Sequence, residues 1–172
     1  MNRRYSLLAI GGLVFATALI WLIAIRFKSG LSETKVLTES VIQLHKASTH
    51  FPIGLLLASM AFDLAGVVFK NRGLHAAAFW SLLGGTAGAV VTLLFGILGN
   101  PLTDPTSDLT IKALRHQNVG ILAAAVFGLL SVWRIAREGK MGRAEGVAYG
   151  VVLVAGAALI SFTGYLGGHI YE

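Results

Sequence analysis

Five histidines are the side chains of this chain best suited to bind a metal or a haem: His45, His50, His75, His116 and His169. The chain contains no cysteine, which excludes thiolate metal sites, iron–sulfur clusters and the covalent attachment of c-type haem. Imidazole is therefore the main candidate ligand. All of the histidines except His75 fall at ends of apolar segments that would meet at one membrane face.

Histidines on facing helices can hold the iron of a b-type haem. We predict His50 and His116 as the axial pair, because they lie at comparable depth on two helices that would face each other diagonally. His45 and His169 form a candidate second pair nearer the surface. Copper or zinc remains an alternative to haem, since imidazole suits both ions. The competing interpretation places the rings at the headgroup level without a ligand, and His75 is assigned there.

Asp63 is the one acidic residue well inside an apolar segment. A carboxylate in hydrocarbon is costly, so such a residue is a candidate for function or for pairing with a cation. Lys70, Arg72 or a donor from a neighbouring helix would neutralise it. Two interpretations stay open: a polar clamp between helices and a proton relay.

Five apolar segments position these residues, and each is long enough for a transmembrane helix. Of the 172 residues, 55% are hydrophobic and 13% charged, against roughly 25% charged in ordinary soluble domains. The predicted spans are residues 7–25, 50–69, 74–98, 116–135 and 147–166. The predicted fold class is all-α and integral membrane, with an N-terminal anchor helix (1–28), a periplasmic connector (29–44) and an up-down four-helix membrane bundle (45–172).

The positions of the basic residues predict the orientation in the membrane. Five spans place the two termini on opposite sides, and the short loops on the N-terminal side are dense in lysine and arginine. These cations are Arg3, Arg4, Lys70, Arg72, Arg134, Arg137, Lys140 and Arg143. The positive-inside rule then predicts a cytoplasmic N-terminus and a periplasmic C-terminus in a bacterial inner membrane. The histidine-rich face is periplasmic in this arrangement.

The sequence HKASTHFPIGL, from His45 to Leu55, resembles a family of bacterial membrane proteins of unknown function, usually called predicted membrane proteins. The family motif is similar to His-Pro-x-x-x-His-Phe-Pro-Ile-Ala-Leu. Further resemblances are Phe62-Asp63-Leu64, Arg115-His116 and the end of the chain from Gly164 to Glu172, so that the resemblance covers about residues 44–172. Lys46 replaces the proline. The chain ends before a His-Gly pair that relatives often carry, and His169 is a candidate substitute for that histidine.

These observations predict a haem-b membrane cytochrome that exchanges electrons at the periplasmic face with a quinol, a c-type cytochrome or another redox subunit. It would be an electron-transfer subunit rather than a stand-alone enzyme. Some relatives lie beside cytochromes, which agrees with this hypothesis by association. Two alternatives stay open: a non-catalytic anchor or assembly subunit of a redox complex, and a metal-binding membrane protein. Five spans without an internal repeat argue against a full transporter, and no nucleic-acid-binding motif is present.

Overall fold

The computed structural model describes residues 35–99, 106–137 and 140–170, and within these ranges the chain is helical between short turns. The helices are α1 (Lys35–Ser48), α2 (His50–Val68), α3 (Arg72–Gly99), α4 (Asp108–Arg137) and α5 (Arg143–Gly168). The predicted all-α class is confirmed for these ranges. The predicted anchor helix of residues 1–28 lies outside the described residues.

Four helical segments in the described ranges are long and apolar enough to cross a membrane. They are Val41–Val68, Arg72–Gly99, Asp108–Arg137 and Arg143–Gly168. A helix rises about 1.5 Å per residue, so segments of 26 to 30 residues exceed the roughly 30 Å of a hydrocarbon core. The structure therefore supports four membrane-length helices, and the first of the five predicted spans falls outside the ranges it describes.

α1 and α2 follow each other almost without a break. Thr49, between them, has a helical backbone (φ −59°, ψ −38°), and its N–H donates to the carbonyl of His45 at 3.1 Å. Pro52 has no N–H to donate to the carbonyl of Ser48, so this helical hydrogen bond is missing at the junction. The next N–H, that of Ile53, donates a helical hydrogen bond to the carbonyl of Thr49. His45 consequently lies inside a membrane-length helix.

Specific hydrogen bonds satisfy backbone groups at the end of α2 and at the start of α4. After α2 the chain turns at Lys70, which has a φ of 51°, and the N–H of Asn71 donates to the carbonyl of Gly66 at 3.0 Å. This bond satisfies one of the carbonyls that a helix end leaves open. At the start of α4, the hydroxyl of Ser107 accepts from the N–H of Thr110 at 3.2 Å, as an N-cap serine does.

The membrane-length helices pack in a ring of contacts. α2 packs against α3, α3 against α4, α4 against α5, and α5 against α2, while α1 also packs against α3. Within the described residues α2 and α4 have no close backbone contact, so they lie diagonally. The buried core between the helices contains Leu56, Leu82, Ala89, Ala123, Phe127, Leu130, Tyr149, Leu153 and Ile160.

Two halves of the chain, residues 41–99 and 112–170, repeat with a constant offset of 71 residues, the separation that also joins Asp63 to Arg134. Matched residues include His45 and His116, Arg72 and Arg143, Leu82 and Leu153, Gly85 and Gly156, Thr92 and Thr163, and Gly96 and Gly167. The packing repeats too. Gly85 faces Leu56 and Gly156 faces Phe127, the matched residue. The prediction that the chain lacks an internal repeat is therefore wrong.

Candidate functional site

His45 of α1 and His116 of α4 meet across the diagonal of the helix arrangement. Their ring centroids are 5.9 Å apart and their planes are nearly perpendicular, at 81°. Both side chains are half-buried. Because the two residues occupy matched positions of the two halves, each meets its own counterpart, as residues on the axis of a two-fold dimer do.

Each imidazole is fixed by the same kind of hydrogen bond. Nδ1 of His45 lies 2.8 Å from the carbonyl oxygen of Thr92, and Nδ1 of His116 lies 3.0 Å from the carbonyl oxygen of Thr163. A carbonyl oxygen can only accept, so Nδ1 carries the proton in both rings. The remaining nitrogen, Nε2, is then the unprotonated one. This is the tautomer that binds metals through Nε2, with the other nitrogen held by a backbone carbonyl.

A threonine and a glycine one helical turn later form the surface that receives each ring. The carbonyl of Thr92 points along α3 toward residue 96, where a Cβ would lie 2.9 Å from Cε1 of His45. Gly96 leaves this space open, and Gly167 does the same after Thr163, with a Cβ that would lie 2.9 Å from Cε1 of His116. Only glycine lets the imidazole approach the helix closely enough to donate to the carbonyl.

The two other histidines predicted at this end have different surroundings. His50 lies five residues after His45, about 140° further round the helix, and its side chain is exposed. His169 is exposed beyond the end of α5, where its Nδ1 contacts the carbonyl of Tyr165 at 2.8 Å and its ring packs on the Tyr165 ring with centroids 4.2 Å apart. The structure thus brings His116 together with His45.

A cavity of about 180 Å³ lies between the first turns of α4 and the end of α5. It is lined by Lys112 and Arg115 of α4, Leu166 of α5 and His169. Lys112 precedes His116 by about one helical turn, and Arg115 directly precedes it. Two residues with cationic side chains that line the cavity therefore lie within about one helical turn of His116 along α4.

Asp63 and Arg134 form a buried ion pair near the other end of the same diagonal. Arg134 donates through Nη1 to Oδ2 of Asp63 and through Nη2 to Oδ1, the latter at 2.9 Å. Its remaining donors reach the hydroxyl of Tyr149 at 3.1 Å and the backbone carbonyl of His75 at 2.8 Å. Arg134 is 8% exposed, so its predicted position in a basic loop is wrong. The carboxylate and the guanidinium satisfy each other in a bidentate pair.

His75 also contacts this carboxylate. Its Nδ1 lies 2.8 Å from Oδ1 of Asp63, and its side chain is 41% exposed. His75, which the sequence assigns to the headgroup level without a ligand, thus contacts the carboxylate of Asp63. The predicted Lys70 and Arg72 are exposed, and the cation that pairs with Asp63 comes from α4 instead. Sequence reasoning missed Arg134, although it lies 71 residues after Asp63, at the matched position of the repeat.

The described ranges contain no group of three or more histidine, cysteine, aspartate or glutamate side chains placed to hold a metal ion. Within these ranges the site offers two candidate ligand atoms, Nε2 of His45 and Nε2 of His116.

A family model described as "Predicted membrane protein (DUF2231)" matches residues 41–171, which is most of the chain. The matched segment covers both repeated halves and begins at the start of the first membrane-length helix. No curated protein and no solved structure matches the chain.

Proposed function

The chain belongs to the predicted membrane protein family DUF2231, and from this premise we propose that it is a membrane cytochrome that binds one haem b between His45 and His116. The observation that carries the proposal is the meeting of two imidazoles from matched positions, each held at Nδ1 by a backbone carbonyl. This arrangement supports Nε2 of both rings as axial ligands of the iron. His45 takes the place of His50 in the predicted pair.

The number of ligands favours haem over zinc or copper held by protein side chains. A structural zinc ion takes about four protein ligands and a catalytic one about three, whereas the described residues gather two imidazoles here. Haem iron needs only axial ligands, because the porphyrin supplies the other four. When bound, haem supplies one-electron chemistry, and the two residues hold and orient it between the halves.

We infer that the four membrane-length helices form an up-down bundle in a bacterial inner membrane, with the histidine end at the periplasmic face. Lysine and arginine are concentrated at the other end, at Lys70, Arg72, Arg137, Lys140 and Arg143. This pattern favours a cytoplasmic position for that end. A haem near the periplasmic face exchanges electrons there with a quinol, a c-type cytochrome or another redox subunit.

The first test is the absorbance spectrum of the full chain, purified in detergent from haem-replete cells. We expect a Soret band and, on reduction, the sharp α and β bands of a six-coordinate haem. A colourless protein that also takes up no added haemin would overturn the proposal and favour a non-catalytic anchor or assembly subunit. Metal analysis of the same sample would detect copper or zinc at the histidine pair.

The ligand assignment is tested by alanine variants of three histidines. His45→Ala and His116→Ala each remove an axial ligand, so we expect loss of the six-coordinate spectrum and of most bound haem. His50→Ala is the matched control, since this residue lies on the same helix as His45 with an exposed side chain, and it should retain the haem. Loss of haem in His50→Ala with retention in His45→Ala would refute the assignment.

A further inference from the structure

We propose that the cavity beside His116 binds the propionate carboxylates of the haem and so selects one of two orientations of the cofactor. This inference rests on the proposed function, because it concerns the same cofactor. The cavity is lined by Lys112, Arg115, Leu166 and His169. Its volume of about 180 Å³ is below the roughly 300–1,000 Å³ of pockets that enclose a whole drug-sized ligand. It is too small for an entire porphyrin and large enough for one substituent of its edge.

Two cations of the cavity lie on the same helix as His116 and shortly before it in the chain. Arg115 and Lys112 lie one residue and about one turn before this histidine, toward the start of α4. Lys112 contacts Asp108 at 3.0 Å, but the carboxylate of Asp108 is 79% exposed. An exposed pair of this kind contributes little to stability. A propionate can therefore replace Asp108 as the partner of Lys112 at small cost.

The cations that line the cavity have no counterparts at the matched positions of the first half. At the matched positions of the first half, Lys112, Arg115 and His169 correspond to Val41, Leu44 and Leu98. The histidine pair and its carbonyl contacts are thus two-fold related, whereas the polar side chains around them are not. A haem carries both propionates on one edge. Cations on one side of a two-fold histidine pair would favour the orientation that directs this edge toward the cavity.

Lysine and arginine near a membrane surface also extend to water without any ligand. In that role, the two side chains would not make porphyrin affinity depend on the charge of the carboxylates. Propionate binding would make the affinity depend on that charge. The two roles are therefore distinguished by comparing haemin with its neutral dimethyl ester, which keeps the iron and the ring and lacks both carboxylate charges.

The experiment titrates the full chain, purified without haem in detergent, with haemin and with the dimethyl ester of the same iron porphyrin. We expect the wild-type protein to bind haemin roughly tenfold more tightly than the ester, because charge-assisted hydrogen bonds to the carboxylates are lost in the ester. The variant Lys112→Leu/Arg115→Leu should weaken haemin binding to the level of the ester and leave ester binding unchanged. Lys46→Leu is the control, since Lys46 is an exposed cation next to His45 that does not line the cavity, and it should keep the wild-type ratio.

A wild-type ratio near one, or an unchanged ratio in Lys112→Leu/Arg115→Leu, would overturn the propionate site while leaving the haem proposal standing. Binding of neither porphyrin by the wild-type protein would overturn both. A loss of preference in Lys46→Leu as large as in the double variant would also refute the assignment, because it would show a general effect of surface charge. If the double variant does not fold, Lys112→Gln and Arg115→Gln provide the same comparison singly, each with an expected partial loss of the preference.

Discussion

Gly96 determines how closely the ring of His45 approaches α3, and Gly167 does the same for the ring of His116 and α5. Gly96 and Gly167 lie one turn after the threonines whose carbonyls accept from the rings, and both would bring a Cβ to 2.9 Å from an imidazole carbon. Real Cβ atoms do not approach this closely, so an added methyl group must displace the ring. The positions of the histidines therefore depend on residues that carry no functional group.

We expect Gly167→Ala to displace His116 and to weaken haem binding by roughly tenfold or more, with a loss of stability of about 1–3 kcal/mol from overpacking. Porphyrin titration and thermal unfolding in detergent measure the two effects. Gly168→Ala is the matched control, because a Cβ at Gly168 meets nothing within 4 Å. Equal behaviour of the two variants would show that the glycine does not position the ring.

At this scale the sequence predicted the candidate residues better than it predicted their pairing. The absence of cysteine and the histidines at one end of the helices indicated an imidazole site. His50 was preferred because it lies at a depth comparable to His116 on a span predicted to begin at residue 50, with Pro52 in its first turn. In the structure the backbone stays helical through Thr49, and His45 meets His116 instead. A proline near a helix start is compatible with a start at N1 and with a helix that merely lacks one bond. Local sequence does not separate these two cases.

The helices are joined at both ends of one diagonal, by His45 with His116 and by Asp63 with Arg134. The second junction is a bidentate ion pair, and among the described residues no buried side-chain nitrogen or oxygen lacks a hydrogen-bond partner. Removing one partner leaves an uncompensated charge in a low-dielectric interior. The sequence identified the carboxylate as in need of a partner. Its partner was assigned to a loop, because an arginine at the apparent end of a hydrophobic segment fits both a loop and a buried position.

We expect Arg134→Leu or Asp63→Leu to lower the free energy of unfolding by about 3–5 kcal/mol, and the double variant to recover much of this loss. Thermal unfolding in detergent gives the double-mutant cycle. Arg137 and Glu145 provide the comparison, since they also form an ion pair between two helices, here α4 and α5, but Arg137 is 54% exposed. Arg137→Leu should cost at most about 1 kcal/mol. A small effect in the buried variants would mean that Asp63 is not clamped by Arg134.

For the whole molecule, the repeat explains why matched residues meet. Two copies of a helical hairpin, each with its histidine, threonine and glycine at the same spacing, pack with their first helices on the diagonal. The all-α class and four of the five predicted spans were readable from length and hydropathy. The repeat was not readable in this way, because most matched positions carry different residues and the spans have similar hydropathy. The constant spacing of 47 residues from histidine to threonine in both halves was the signal that could have shown it.

A repeat of two hairpins makes a strict demand on topology. Each half enters and leaves the membrane on the same side, so the turns after α2 and after α4 must share one face, and the start of α4 must lie at the other. The chain has no native cysteine, so single-cysteine variants report on each position directly. Lys70→Cys and Lys140→Cys probe the two basic turns, and Thr106→Cys probes the opposite end.

We expect a membrane-impermeant maleimide to label Thr106→Cys in intact spheroplasts, and to label Lys70→Cys and Lys140→Cys only after the membrane is opened. The physical reason is the concentration of lysine and arginine at the two basic turns, which favours a cytoplasmic position for them. Labelling of all three positions from outside would contradict the proposed four crossings. Labelling of only the two basic turns would preserve the crossings and reverse the orientation, which would place the histidine pair at the cytoplasmic face and exclude a periplasmic electron carrier.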